Sequence, residues 1–187
     1  MNKKRIITIA IITTLLLGIA VFATLVRYIV SDVTENRISS SNVKIELVLL
    51  EEGEGGQVPV SGDTAVVPGV TKSRIAMVKN TGKEPAWVRV DALVDAPHGT
   101  ENIEEFGYIE LGNVDDEDWA YKDGYWYYDK ILNPGETTKA LFTEISFTND
   151  LDENYKGQDL SVRILAEGTQ SKHNGSTAFD AQGWPEE

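Results

Sequence analysis

Beyond Asn36 the chain alternates apolar and polar residues with a period of two, over and over. Val43, Ile45, Leu47 and Leu49 alternate with Lys44, Glu46 and Val48. Val88, Val90, Ala92 and Val94 alternate with Arg89, Asp91 and Leu93. Leu141, Thr143, Ile145 and Phe147 alternate with Phe142, Glu144 and Ser146, and Leu160, Val162, Ile164 and Ala166 with Ser161, Arg163 and Leu165. Successive side chains of a strand point to opposite faces, so each stretch sets one face on a core and the other towards water or a second layer. Arg74 to Lys79 and Tyr125 to Leu132 read as strands from their β-branched and aromatic content. No later stretch carries a helical stripe, and the best helical candidate, Asn102 to Phe106, is short. Pro68-Gly69, Pro134-Gly135, Asn80-Thr81-Gly82 and Asp123-Gly124 supply turn chemistry between the strands. Roughly six to nine strands without long helices predict an all-β fold, an antiparallel β-sandwich. The pattern leaves jelly-roll and immunoglobulin-like topologies both open.

The first residues differ in kind. Lys3, Lys4 and Arg5 precede an uncharged run from Ile6 to Val26, closed by Arg27. A basic start before a long apolar run is the pattern of a secretory leader, and a run of about 20 apolar residues also spans a bilayer as a helix. The excess of positive charge before the run places the amino end inside and the domain outside. Ala23 and Ala20 are the small residues after which a peptidase would cut. The chain therefore divides into a signal peptide or membrane anchor at 1–23, an amino-terminal extension at 24–42, a β-sandwich at 43–170 and a polar, loosely held tail at 171–187. The expected location is extracellular or at the cell surface, with membrane contact only through the leader.

Composition narrows the function. The 17 basic and 30 acidic residues give a net charge of −13, which repels nucleic acid. The absence of cysteine removes disulfides, thiol nucleophiles and thiolate metal sites. His98 and His173 are the two histidines, and no HExxH, GxSxG, Walker or dinucleotide-glycine pattern occurs. Ser41-Asn42-Val43-Lys44 matches SxxK, yet it straddles a strand start and lacks companion motifs. Asp115-Asp116-Glu117-Asp118 lacks the ligand spacing and closing Glu of a calcium loop and reads as a solvated acidic loop, with weak calcium binding as the alternative. The reading is a non-enzyme with no catalytic residue, metal or cofactor. A hydrolase, the weaker rival, would rest on His98, Glu104 or Glu105.

Two features point to binding instead. Trp119, Tyr121, Tyr125, Trp126, Tyr127 and Tyr128 lie within ten residues. In a strand, Tyr125 and Tyr127 share one face and Trp126 and Tyr128 the other; one face is core, and the other packs under a loop or stacks on the sugar rings of a glycan or cell wall. Thr24, Leu25, Val26, Arg27, Tyr28, Ile29 and Val30 form a β-prone segment ahead of the domain, either the end of a membrane anchor or a strand free to add to an open sheet edge of a neighbour.

Several blocks carry a family resemblance. They are the KKR-apolar leader, Tyr28 to Asp32, Asn36-Arg37-Ile38-Ser39 leading to Val43-Lys44-Ile45-Glu46-Leu47, Val67-Pro68-Gly69, and Val78-Lys79-Asn80-Thr81-Gly82. Trp87-Val88-Arg89-Val90, Gly124-Tyr125-Trp126-Tyr127-Tyr128, Leu132-Asn133-Pro134-Gly135-Glu136-Thr137 and Ala166-Glu167-Gly168-Thr169-Gln170 continue the series. Together they make the chain resemble the TasA and camelysin (CalY) group of exported proteins of Gram-positive bacteria, which carry alternate (SipW-type) signal peptides. Ser41-Asn42 stands where that group often has a glycine before the first strand. The resemblance implies a jelly-roll sandwich, processing by a dedicated signal peptidase, and self-association or association with related matrix subunits in biofilm-type fibres. It also implies an amino-terminal donor strand, here within Thr24 to Asn36. Some members are labelled metallo-endopeptidases, a role for which this sequence offers no metal constellation.

Overall fold

The structure, a computed structural model, describes residues 28–38, 43–60, 64–66, 69–149, 155 and 159–185. In chain order the strands are β1 (Tyr28–Ile38), β2 (Ile45–Gly53), β3 (Gly56–Pro59), β4 (Thr64–Val66), β5 (Thr71–Ser73), β6 (Ile75–Asn80) and β7 (Ala86–Ala96). There follow β8 (Gly99–Asn102), the one-turn helix α1 (Ile103–Phe106), β9 (Ile109–Gly112), β10 (Trp119–Lys122), β11 (Tyr125–Tyr128), β12 (Glu144–Phe147) and β13 (Asp159–Gln170). The fold is all-β and mostly antiparallel. The helical turn stands where the sequence places it, with the Asn102 side chain accepting the Glu104 N–H at its start.

Three sheets form. The largest has seven strands in the order β10-β11-β7-β13-β1-β4, with β8 paired to the end of β7. The others are β3-β2-β6 and β5-β12-β9. The ladder between β13 and β1 is parallel, a departure from the all-antiparallel expectation. The Gly- and Glu-rich stretch from Gly53 to Gly62 reads from its composition as a mobile loop; its described part is instead a hairpin in which Gly53 faces Gly56 and β3 returns along β2.

Alternation along β7 and β13 sends Val88, Val90, Ala92 and Val94 and Leu160, Val162, Ile164 and Ala166 into one core with Ile45, Val78, Phe142 and Ile145 of the smaller sheets and their flanks. β12 starts only at Glu144. Before it, Leu141 and Phe142 are both buried, because this stretch runs irregularly beside β6, with Leu141 N–H donating to Ala76 and Ala76 N–H to Phe142. Alternation fails there because both side chains find apolar neighbours.

Buried Asn80 joins two turns. Its Nδ2 donates to the carbonyls of Glu84 (2.9 Å) and Leu132 (2.8 Å), its Oδ1 accepts the Gly82 N–H, and its own carbonyl accepts the Gly135 N–H. Every polar atom of this fully enclosed amide is used, which is what makes a buried polar side chain tolerable.

Gly168 of β13 lies against β2. A Cβ there would come within 3.1 Å of Ile45 Cγ2 and 3.3 Å of Val43 Cγ1. The absent side chain lets the large sheet approach β2. Gly168→Val should therefore destabilise the domain by about 1–3 kcal/mol through overpacking, read as a lower urea midpoint at unchanged m-value. An unaltered midpoint would show that the approach is not tight.

Candidate functional site

The first strand is the first candidate element. Thr24, Leu25, Val26 and Arg27 lie outside the described residues; Tyr28, Ile29 and Val30 open β1. Val33, Thr34 and Ile38 carry the β-forming content onward, and the strand runs to residue 38, well into what the sequence reading assigns to an extension. β1 is parallel to β13 in ten register pairs, from Ile29 facing Asp159 to Ile38 facing Gly168. On its other edge only Tyr28, Ile29 and Val30 are paired, antiparallel to β4. Among the described residues, Ser31 to Ile38 have no ladder on that second edge.

The aromatic run is the second candidate. β10 and β11 form a hairpin that sets Trp119 opposite Tyr128 and Tyr121 opposite Trp126. Trp119 (2% exposed) and Tyr128 belong to the main core, with ring centroids 5.0 Å apart. Tyr127 is buried on the opposite face. Trp126 and Tyr125 are half-buried, and Tyr121 (40% exposed) packs on Trp126 with its hydroxyl hydrogen-bonded to Asn102. Three of the six rings are thus internal packing, and the split of faces follows the strand period.

What covers Tyr127 is a feature the sequence reading misses. The carboxyl-terminal segment, expected to be loosely held, folds back onto the outer face of the large sheet. Ala178 and Ala181 are buried there with Trp87 and Tyr127, and Phe179 and Trp184 pack on the Tyr127 ring. Trp87 Nε1 donates to the Asn174 carbonyl (2.8 Å) and Thr169 Oγ1 to that of Gln182 (2.9 Å). Two alanines and one tryptophan in a polar stretch give no periodicity, so only the receiving surface reveals the docking.

An ion pair lies beneath this cover. Arg89 donates from Nε to Glu167 Oε2 at 2.7 Å, and the Glu167 side chain is 2% exposed. The guanidinium lies over the Tyr125 ring, 3.7 Å from its centroid, and over that of Trp184 at 4.7 Å. Burial works against the Arg89 charge, but its hydrogen bonds to Tyr127 and Glu167 outweigh burial and raise its pKa above the usual arginine value.

The other candidates are dispersed. His98, Glu104 and Glu105 are exposed, and no group of three His, Asp or Glu side chains suited to a metal exists among the described residues. Ser41 and Asn42 lie outside the described residues; Lys44 turns its carbonyl to the N–H groups of Thr81 and Gly82. In the acidic loop, the Asp118 carboxylate is buried and held by Lys130 and, at 3.2 Å, by Lys139, while Asp115 Oδ1 accepts the N–H groups of Glu117 and Asp118.

No family model, curated protein or solved structure matches the chain.

Two predictions follow from these charges. Glu167→Gln leaves Arg89 without its counter-charge and should cost about 3–5 kcal/mol, whereas replacing both residues by apolar ones of similar volume should recover most of that; denaturant unfolding of the three chains checks it. The hydrogen bond from Lys130, opposed by burial and helped by Lys139, holds the Asp118 pKa below the ordinary aspartate value. The stability it contributes is present above the unfolded aspartate pKa of about 3.9 and is lost as pH falls from there through the folded value. The melting temperature should drop across that window, and Asp118→Asn should flatten this part of the profile. Identical profiles for the two chains would refute the assignment.

Proposed function

We propose that this protein is a non-catalytic exported subunit that assembles at the cell surface or in an extracellular matrix by exchanging its amino-terminal strand between copies. The observation that carries the reading is the parallel ladder of β1 with β13. A strand held by main-chain pairing makes the same bonds in a neighbour as in its own subunit. Exchange therefore requires only that the connection reach and that association entropy be met. The leader, the acidic composition and the resemblance to the TasA and camelysin group support export and a matrix role. Partners are further copies or related matrix subunits, with a signal peptidase acting on the leader. Three sheets sharing one core suit a sandwich of jelly-roll type. Glycan stacking on the aromatic run has less support, because Trp119, Tyr127 and Tyr128 are spent on internal packing.

Sedimentation of chains beginning at Thr24 and at Ser41 tests the reading. The longer chain should polymerise with concentration. The shorter should stay small and take up a synthetic peptide of residues 24–38, which should also cap the growth of the longer chain. Monomers of the longer chain at every concentration would overturn strand exchange.

A further inference from the structure

The carboxyl-terminal segment leaves β13 at Gln170 and turns back over the outer face, and Asn174 fastens the turn. Its Nδ2 donates to the carbonyls of Gln170 and Gln182, both at 2.8 Å, and reaches Thr169 Oγ1 at 3.4 Å. Its Oδ1 accepts the Gln182 N–H at 2.9 Å, and its main-chain carbonyl accepts the indole N–H of Trp87 at 2.8 Å. One side chain thus ties the end of β13 to Gln182, between the Ala181 and Trp184 that cover Tyr127.

These partners demand a primary amide. Two carbonyls need a donor and a backbone N–H needs an acceptor, and a carboxylate could answer only the second need. The next residue is equally constrained. Gly175 has φ +74°, and a Cβ there would stand 2.9 Å from Ala181 N and Asp180 C and 3.0 Å from Thr177 O. Those are backbone atoms, which cannot step aside as the end of a flexible side chain can, and the positive φ favours glycine independently. The fold therefore obliges Asn-Gly to stand at 174–175, the one Asn-Gly step in the chain.

Asn-Gly is also the step at which a side-chain amide is most readily lost, because glycine has no Cβ to keep its nitrogen away from the preceding side chain. The Gly175 nitrogen attacks Asn174 Cγ and a C–N bond forms. The Cγ–Nδ2 bond breaks, and the Gly175 proton leaves with Nδ2 as ammonia. Water then opens the cyclic imide at one of its two carbonyls, giving aspartate, or isoaspartate with the backbone routed through Cγ. Water is the one co-reactant, and Gly175 is exposed to it. While the segment is closed its hydrogen bonds hold the amide, so the reaction waits on local opening. The product cannot restore the closed form. A carboxylate has no N–H to give and sets a negative charge against the carbonyls of Gln170 and Gln182.

We propose that Asn174–Gly175 is a self-modification site, and that loss of its amide releases residues 174–184 from the large sheet in one direction only. Release uncovers the apolar surface around Trp87 and Tyr127 and takes Trp184 off the Arg89 guanidinium. The site rests on no residue of β1 and is independent of strand exchange.

Ageing the full chain in detergent at mildly alkaline pH tests the proposal. Trypsin cuts after Lys172 and frees residues 173–187, a peptide with a single asparagine. Fragment mass spectrometry of that peptide, against a digest made at time zero, follows conversion at Asn174. A synthetic peptide of residues 171–179 gives the unprotected rate. Conversion in the chain should be about tenfold slower or more, as for a segment that opens locally. In ¹H–¹⁵N spectra the indole N–H resonances of Trp87 and Trp184 should move in step with conversion, while that of Trp119, in the core, stays in place. Asn174→Asp should show the moved resonances from the outset. Four results would each overturn the proposal: conversion at the free-peptide rate; no conversion after about a hundred free-peptide lifetimes; movement of Trp119 together with the others; or an Asn174→Asp chain whose Trp87 and Trp184 resonances keep their native positions.

Discussion

β13 carries a ladder on each edge, antiparallel to β7 and parallel to β1, and the rest of the molecule is arranged around that doubly paired strand. A strand bonded on both sides has its backbone groups satisfied by neighbours, so it can lie deep in the protein. Its even-numbered residues, Leu160 to Ala166, build the core. Its odd-numbered residues, Leu165, Glu167 and Thr169, are buried as well. Burial on both faces creates a demand for cover on the outer side. Arg89 and the carboxyl-terminal segment meet that demand around Glu167 and Thr169.

The outer face shows how a strongly acidic chain handles charge away from water. Arg89 is enclosed by one carboxylate and two aromatic faces, which replace the water it gives up. Asp118 is buried in the opposite sense, an acid held by two lysines that remain half in solvent. Both sites spend some of the few cations on local geometry. The remaining acid excess is left on the surface, where it favours solubility.

Much of the architecture was legible in the residues, and the gaps have physical causes. Val88 to Val94 and Leu160 to Ala166 announced themselves because one face meets the core and the other carries Arg89, Asp91 and Arg163. Leu93 and Leu165 interrupt that polar face, and Leu165 is buried on it. The stretch from Leu141 looked like the start of a strand, because period two cannot tell a ladder from an irregular run with apolar neighbours on both sides. β1 is legible only in part: Tyr28 to Val30 are β-prone by composition, whereas Ser31, Asp32, Glu35 and Asn36 enter a strand only through the family resemblance, and their pairing depends on a partner far along the chain. The aromatic run could be split into faces by period but not assigned to core or surface, since that depends on where residues 174–184 fold.

The parallel pairing of β1 with β13 also sets an order in time. Val33 lies beside Arg163, so the first described strand must wait for the last before the large sheet can close. Contacts of such long sequence separation carry their loop-closure entropy before they return any stabilisation, which slows folding. Until β13 arrives, β1 has only the short ladder of Tyr28, Ile29 and Val30 with β4 among the described residues, and the edge that β13 will cover is open to any other chain nearby. Under the proposed strand exchange, local concentration while the chain folds, as much as the finished contacts, would decide whether that edge closes within one molecule or between two.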